Sequence, residues 1–204
     1  MNKERYLAIA VKMNEDLSQS FQALLCSSKL KELKVLDSSK IGSFVGMDKV
    51  NIIPTLLHWE TSGEFIFTGN TDEYELRVFD FNGNLVRRIK KEFEAVLLTE
   101  NDKERYKQRI LKYPPDIKDK FFVLEAYPPF RNIVAFSDNR LFVQTYEVLN
   151  EGAAIFDIFN SEGVFINRAE LEGIPQKFRG DSVYCLKEKS SGYMELVVYR
   201  MIWQ

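Results

Sequence analysis

One phrase occurs twice in this chain, as Val78-Phe79-Asp80-Phe81-Asn82-Gly83-Asn84-Leu85-Val86 and as Ile158-Phe159-Asn160-Ser161-Glu162-Gly163-Val164-Phe165-Ile166. In each copy an apolar run ends in a polar turn, the turn closes on glycine, and a second apolar run follows, which is the pattern of a β-hairpin. A recurring hairpin constrains the fold more than any local motif. A single such unit cannot bury its apolar face alone and must stack on a neighbour of its own kind.

The surroundings repeat as well. Glu64–Gly69 and Tyr74–Asp80 precede the first turn, and Arg140–Tyr146 and Ala153–Ile158 precede the second, each pair separated by a polar turn that includes Asp72 in the first unit. An innermost strand is expected upstream of each, over 56–60 and 131–136. A third unit follows at the C-terminus, where 182–186 and 194–199 flank the turn Lys189-Ser190-Ser191-Gly192, and it lacks its last strand. A more degenerate unit opens the chain with strands over 6–11, 21–26 and 32–36. This pattern predicts an all-β single domain over 1–204, a partial or small β-propeller of three to four antiparallel units near 6–37, 56–90, 130–171 and 175–203.

The two turn glycines lie 80 residues apart, whereas a four-stranded unit spans about 40 to 50. The surplus is an insertion near 101–124. Asn101 reads as a helix cap with Glu104 three residues on, Tyr106, Ile110 and Leu111 follow at helical spacing, and Pro114-Pro115 stops the run. A second short turn is expected over 116–124 before Pro128-Pro129. Lys103, Glu104, Arg105, Lys107 and Arg109 read as the solvated face of this helix.

Composition excludes several classes of function. With 28 Lys and Arg against 30 Asp and Glu, the net charge of −2 gives no field for nucleic acid or an anionic membrane. The charged start, Met1 to Tyr6, precedes an apolar stretch too short for a signal peptide or a membrane span. His58 is the only histidine, so there is no histidine cluster for zinc, and within Leu56-Leu57-His58-Trp59-Glu60 it reads as a packed inner-strand residue. Gly42 and Gly46 lack the Lys-Ser/Thr of a phosphate loop. Cys26 and Cys185 each sit in an apolar run and read as small buried hydrophobes, and whether they pair is left open because a disulfide needs a set geometry.

Tyr74 to Ile89, the Leu97-Leu98-Thr99-Glu100 entry to a charged helix, Pro128-Pro129-Phe130, Arg140 to Val143 and Ala154 to Arg168 together resemble the bacterial six-bladed β-propellers of the NHL and TolB-like superfamily. Members carry six blades, and this chain has material for three or four. The resemblance implies a periplasmic or envelope location, although these residues contain no targeting signal. Some relatives are lactonases or phosphotriesterases that hold calcium in a central channel, which implies Glu60, Asn132 and Asp138 as oxygen ligands here.

The expected function is that of a non-catalytic propeller module binding a protein or a small molecule, with no nucleic acid and no membrane insertion. Loops at one face supply the candidate ligand-binding residues Tyr127, Phe130, Arg131, Tyr146 and Arg179. Phe65, Phe67, Phe79, Phe142, Phe156 and Phe159 alternate along strands and read as inter-blade core. Two alternatives stand beside this reading: a calcium-dependent hydrolase, and a scaffold that self-associates through open strand edges, where the edge at 197–199 is a template for the strand at 6–11 of the same chain or of another.

Overall fold

The computed structural model describes residues 5–13, 19–41, 49–53, 57–71, 73–136, 138–148 and 153–202. Leu56, Asp72 and the glycines at 42 and 46 lie outside them. The described chain is mainly β, laid down as four successive antiparallel sheets. The first sheet holds β1 (Arg5–Met13), β2 (Gln19–Ser27) and β3 (Glu32–Ile41). A two-residue strand, β4 (Val50–Asn51), leads into the second sheet, which runs β5 (Leu57–Ser62), β6 (Phe65–Asn70), β7 (Glu75–Asp80) and β8 (Leu85–Lys90). After the insertion, α1 (Glu100–Ile110), α2 (Pro115–Lys118) and β9 (Phe121–Phe122), the third sheet runs β10 (Asn132–Ala135), β11 (Leu141–Val148), β12 (Ala154–Phe159) and β13 (Phe165–Leu171). The fourth holds β14 (Ile174–Arg179), β15 (Ser182–Glu188) and β16 (Met194–Arg200).

The repeated phrase folds identically both times. Gly83 and Gly163 take φ of +78° and +81°, a left-handed conformation that glycine alone adopts without a Cβ penalty. In the first turn the Asp80 carboxylate accepts the Asn82 and Asn84 backbone N–H groups, each at 2.8 Å. In the second the Asn160 side-chain oxygen accepts those of Glu162 and Val164, at 3.0 and 2.9 Å. Each turn abuts the sheet before it, and an arginine of that sheet holds it: Arg5 donates to the Phe81 carbonyl and to Asn82 Oδ1, and Arg87 donates to the Ser161 carbonyl. The Lys189–Gly192 turn repeats the backbone, with Gly192 at φ +80°.

Side chains on successive strand residues point to opposite faces, so the middle sheets are apolar on both. Ala23, Leu25 and Leu36 of the first sheet pack on Ile66 and Phe79 of the second. The opposite face of the second sheet, with Phe67, Leu76, Val78 and Ile89, packs on Ile133, Leu141, Val143 and Phe159 of the third. Phe142, Phe156, Ile158 and Leu171 of the third then meet Val183 and Cys185 of the fourth. Five of the six strand phenylalanines named above are buried in these seams, and Phe65 packs at the margin. Each fully buried side chain of this size contributes about 1.5–3 kcal/mol.

Two buried carboxylates stitch the second sheet to its neighbours. Asp37 on β3 accepts the Thr68 hydroxyl at 2.6 Å and pairs with Arg77 at 2.6 Å. Asp157 on β12 accepts the Tyr74 hydroxyl at 2.7 Å and pairs with Lys91 at 3.1 Å and with Arg168 at 2.8 Å. Burial and the adjoining carboxylate raise the Tyr74 hydroxyl pKa far above its ordinary range.

Two expectations need correction. The helix starts earlier than Asn101: Thr99 is the N-cap and forms a capping box with Asp102, satisfying two end groups reciprocally. Past α2 the chain enters β9, where Val50 and Asn51 of β4 pair in parallel with Phe121 and Phe122, and no helical turn continues to residue 124. Among the described residues β1 is hydrogen-bonded to β2 alone and β16 to β15 alone, so each strand keeps one edge without a ladder within this chain. Cys26 and Cys185 are buried free thiols, and burial pushes the Cys185 thiol up to about 11. No helix among the described residues is long and apolar enough to cross a membrane.

Candidate functional site

The insertion leans over the third sheet and leaves a recess of about 560 Å³ between them. One wall is α1, which no buried residue anchors but whose Tyr106 and Ile110 rest on Ile52, Ile53 and Leu98. The segment after β9 forms a second wall. It is tied to residues 96–98 by the Tyr127 N–H donating to the Val96 carbonyl at 2.8 Å and by a Leu97–Ala126 bridge. The third wall is the β11–β12 hairpin, where the register shifts between Gln144 and Val148. Thr145 holds this irregularity, its hydroxyl donating to the Ile155 carbonyl (3.3 Å) and accepting from the Glu147 N–H (3.2 Å). Such bulges re-aim side chains, and Tyr146 lies within this one.

Three of the five candidate ligand-binding residues, Tyr127, Arg131 and Tyr146, converge on this recess. The tyrosine rings stack at 4.5 Å with 10° between their planes. Arg131 is placed by its backbone, whose N–H donates to the Gln144 carbonyl at 2.7 Å. Burial raises the Tyr146 hydroxyl pKa, opposed by the Arg131 guanidinium nearby. Burial, then the Asp102 carboxylate, pushes Tyr127 up to about 12.

Phe130 and Arg179 do not join them. Phe130 is 0% exposed and packs on Tyr74 at 5.5 Å and His58 at 5.8 Å. It is core because the chain turns it under the second sheet, against Gly69, where a Cβ would lie 3.0 Å from its ring. Arg179 is exposed at the end of β14, away from the recess.

The calcium candidates lie on or next to β5 and β10. Asn132 opens β10 and hydrogen-bonds His58, Asp138 sits in the turn beyond that strand and pairs with Arg140, and Glu60 lies on β5 with its pKa raised by burial. Among the described residues no group of three His, Cys, Asp or Glu side chains is placed to hold a metal ion. His58 is a packed histidine as expected. Burial lowers its pKa to about 4 despite the Asn132 bond, and its Nε2 atom has no partner.

Sequence reasoning missed Asp102, Arg105, Gln144 and Glu147, which also line the recess. Arg105 is exposed on the solvated helix face as expected, and from there it also donates to Asp102 at 2.8 Å and to the Tyr127 hydroxyl at 3.4 Å. The spacing of Asp102 and Arg105, three apart on one helix, was the available signal. Glu147 is forked by Arg168, at 2.6 and 3.0 Å.

No protein-family model matches the chain, and no curated protein matches it. Among solved structures it is similar to a protein of unknown function from Bacteroides caccae, with 9% identity and a TM-score of 0.37. The match covers 95% of this chain and 64% of that protein, so this chain spans less than two thirds of its length. At that similarity it bears on neither fold nor activity.

Proposed function

We propose that the chain is a non-catalytic binding module of β-propeller type, and that the recess between α1 and the β11–β12 hairpin receives its ligand. The convergence of Tyr127, Arg131 and Tyr146 on one concave site carries this reading. Concave sites with a few convergent polar groups are the usual places for small molecules. The propeller architecture draws support from the first strands of the middle sheets. His58 meets Asn132 near one end of β5 and β10, and Ser62 Oγ accepts the Asn139 N–H near the other, so the two strands run side by side in the same direction. Innermost strands around a propeller axis have that relation.

The test is a thermal-shift screen of chemically diverse metabolites on the wild-type protein and on Tyr146→Ala, with the variant's own unfolding midpoint confirming that it folds. Compounds that raise the melting temperature of the wild type and lose the effect in the variant are expected. Hits that act equally on both proteins, or no hits, would reject the recess as the ligand site.

A second reading, self-association, is favoured by one observation. β16 exposes Met194, Leu196 and Val198 by 55, 59 and 51%, on a sheet face of the kind that the inner sheets bury. Light scattering across a range of protein concentrations is expected to show a mass that rises with concentration, whereas a constant monomer mass removes this reading.

A further inference from the structure

The charges lining the recess are not all paired. Four charged side chains line it: Asp102, Arg105, Arg131 and Glu147. Asp102 and Arg105 neutralise one another across 2.8 Å, and the same carboxylate also accepts the Thr99 hydroxyl at 2.7 Å. Glu147 is taken by both terminal nitrogens of Arg168. Arg131 remains. Among the described residues no carboxylate pairs with its guanidinium, although it is near enough to Tyr146 to act on that hydroxyl. A guanidinium with all its donors available is a planar fork that matches a carboxylate or a phosphate with two parallel hydrogen bonds.

The aromatic part of the site sits beside that charge. The Tyr127 and Tyr146 rings are nearly parallel and stacked, and the Tyr127 hydroxyl is bonded by Arg105 and Asp102, so the pair forms an aromatic platform. A flat ring continues such a stack in the offset geometry that aromatic pairs favour. The volume of about 560 Å³ falls within the usual range for small-molecule sites and exceeds what one bare anion needs.

We infer that the recess binds a small ring-bearing anion, with its carboxylate or phosphate forked by Arg131 and its ring laid against the Tyr146–Tyr127 stack. This rests on the recess being the ligand site, as proposed above. Isothermal titration and saturation-transfer NMR with benzoate, phenyl phosphate and benzamide test it on the wild type, Arg131→Gln and Tyr146→Ala. Arg131 is exposed, so the glutamine variant is expected to unfold with an unchanged midpoint.

The expected result is that at least one anion binds about tenfold more tightly than benzamide, and that Arg131→Gln abolishes this difference. Tighter binding of benzoate assigns the site to carboxylates, and tighter binding of phenyl phosphate assigns it to phosphate esters. Equal binding of benzamide and the anions, lost in Tyr146→Ala, would overturn the anionic class while leaving the recess as the site. Binding that persists in both variants, or no binding by any of the three probes, would overturn the inference and the recess together.

Discussion

His58 shows how one half-buried side chain ties the fold to pH. It sits on β5 against Phe130, with Asn132 as partner, and burial lowers its pKa to about 4. The folded protein therefore keeps the ring neutral, while the unfolded chain takes up a proton below the ordinary value near 6.5. Stability from this residue is complete above that value and is lost as pH falls toward 4. Between about pH 8 and about pH 5 the loss is roughly 2 kcal/mol. Urea unfolding of the wild type and of His58→Gln at both pH values measures it, and the variant is expected to lose about that much less on acidification. An equal acid loss in both proteins would remove His58 as the cause. The packed role was legible because a lone histidine between Leu57 and Trp59 has no second ligand or nucleophile in the sequence near it. The fate of Phe130 was not legible, since the residue follows two prolines and only the path of the chain under β6 decides that it becomes core.

Among the elements, the hairpins were the most readable and the insertion the least. Asp80 and Asn160 stand at the one position where a short side-chain oxygen can accept two turn N–H groups, and Gly83 and Gly163 supply the positive φ that closes the turn. Those requirements are local, so the sequence displays them. The start of α1 was misplaced because Thr99 and Asp102 form the same reciprocal cap as the Asn101 and Glu104 pairing two residues on; the choice rests on which residues turn toward Ile52 and Leu98. The parallel pairing of β4 with β9 joins segments some seventy residues apart and leaves no local trace. The turns also predict a graded response to a methyl group. At Gly180 (φ +57°) an added Cβ meets nothing within 4 Å, so Gly180→Ala is expected to cost only the left-handed strain, about 1 kcal/mol. At Gly163 the same Cβ lies 2.7 Å from the side chain of Ile89, which is buried, and Gly163→Ala is expected to cost at least about 2 kcal/mol. Chemical denaturation of the two variants measures both. Equal costs would mean that the turn of the third sheet is not pressed against the second.

At the scale of the molecule, four sheets stacked face to face raise the question of how far one seam senses another. The second sheet is the place to ask, because it is bonded on one face to Asp37 and on the other to Asp157. Among the described residues the two carboxylates share no partner: Thr68 and Arg77 serve the first, and Tyr74, Lys91 and Arg168 the second. Thr68→Val and Tyr74→Phe each delete one hydroxyl donor with little change in volume, leaving the cations in place. Each is expected to cost about 1.5–3 kcal/mol, the range for a hydrogen bond to a charged group. If sheets are rigid spacers and each seam is an independent interface, the double variant adds the two costs to within about 0.5 kcal/mol. A coupling above about 1 kcal/mol would instead show that the second sheet shifts as a body between its neighbours, relaxing toward one carboxylate when the other is released. In that case a ligand pulling on the third sheet at Tyr146 would be felt across the second sheet at Asp37, and the stack would transmit binding rather than merely display it.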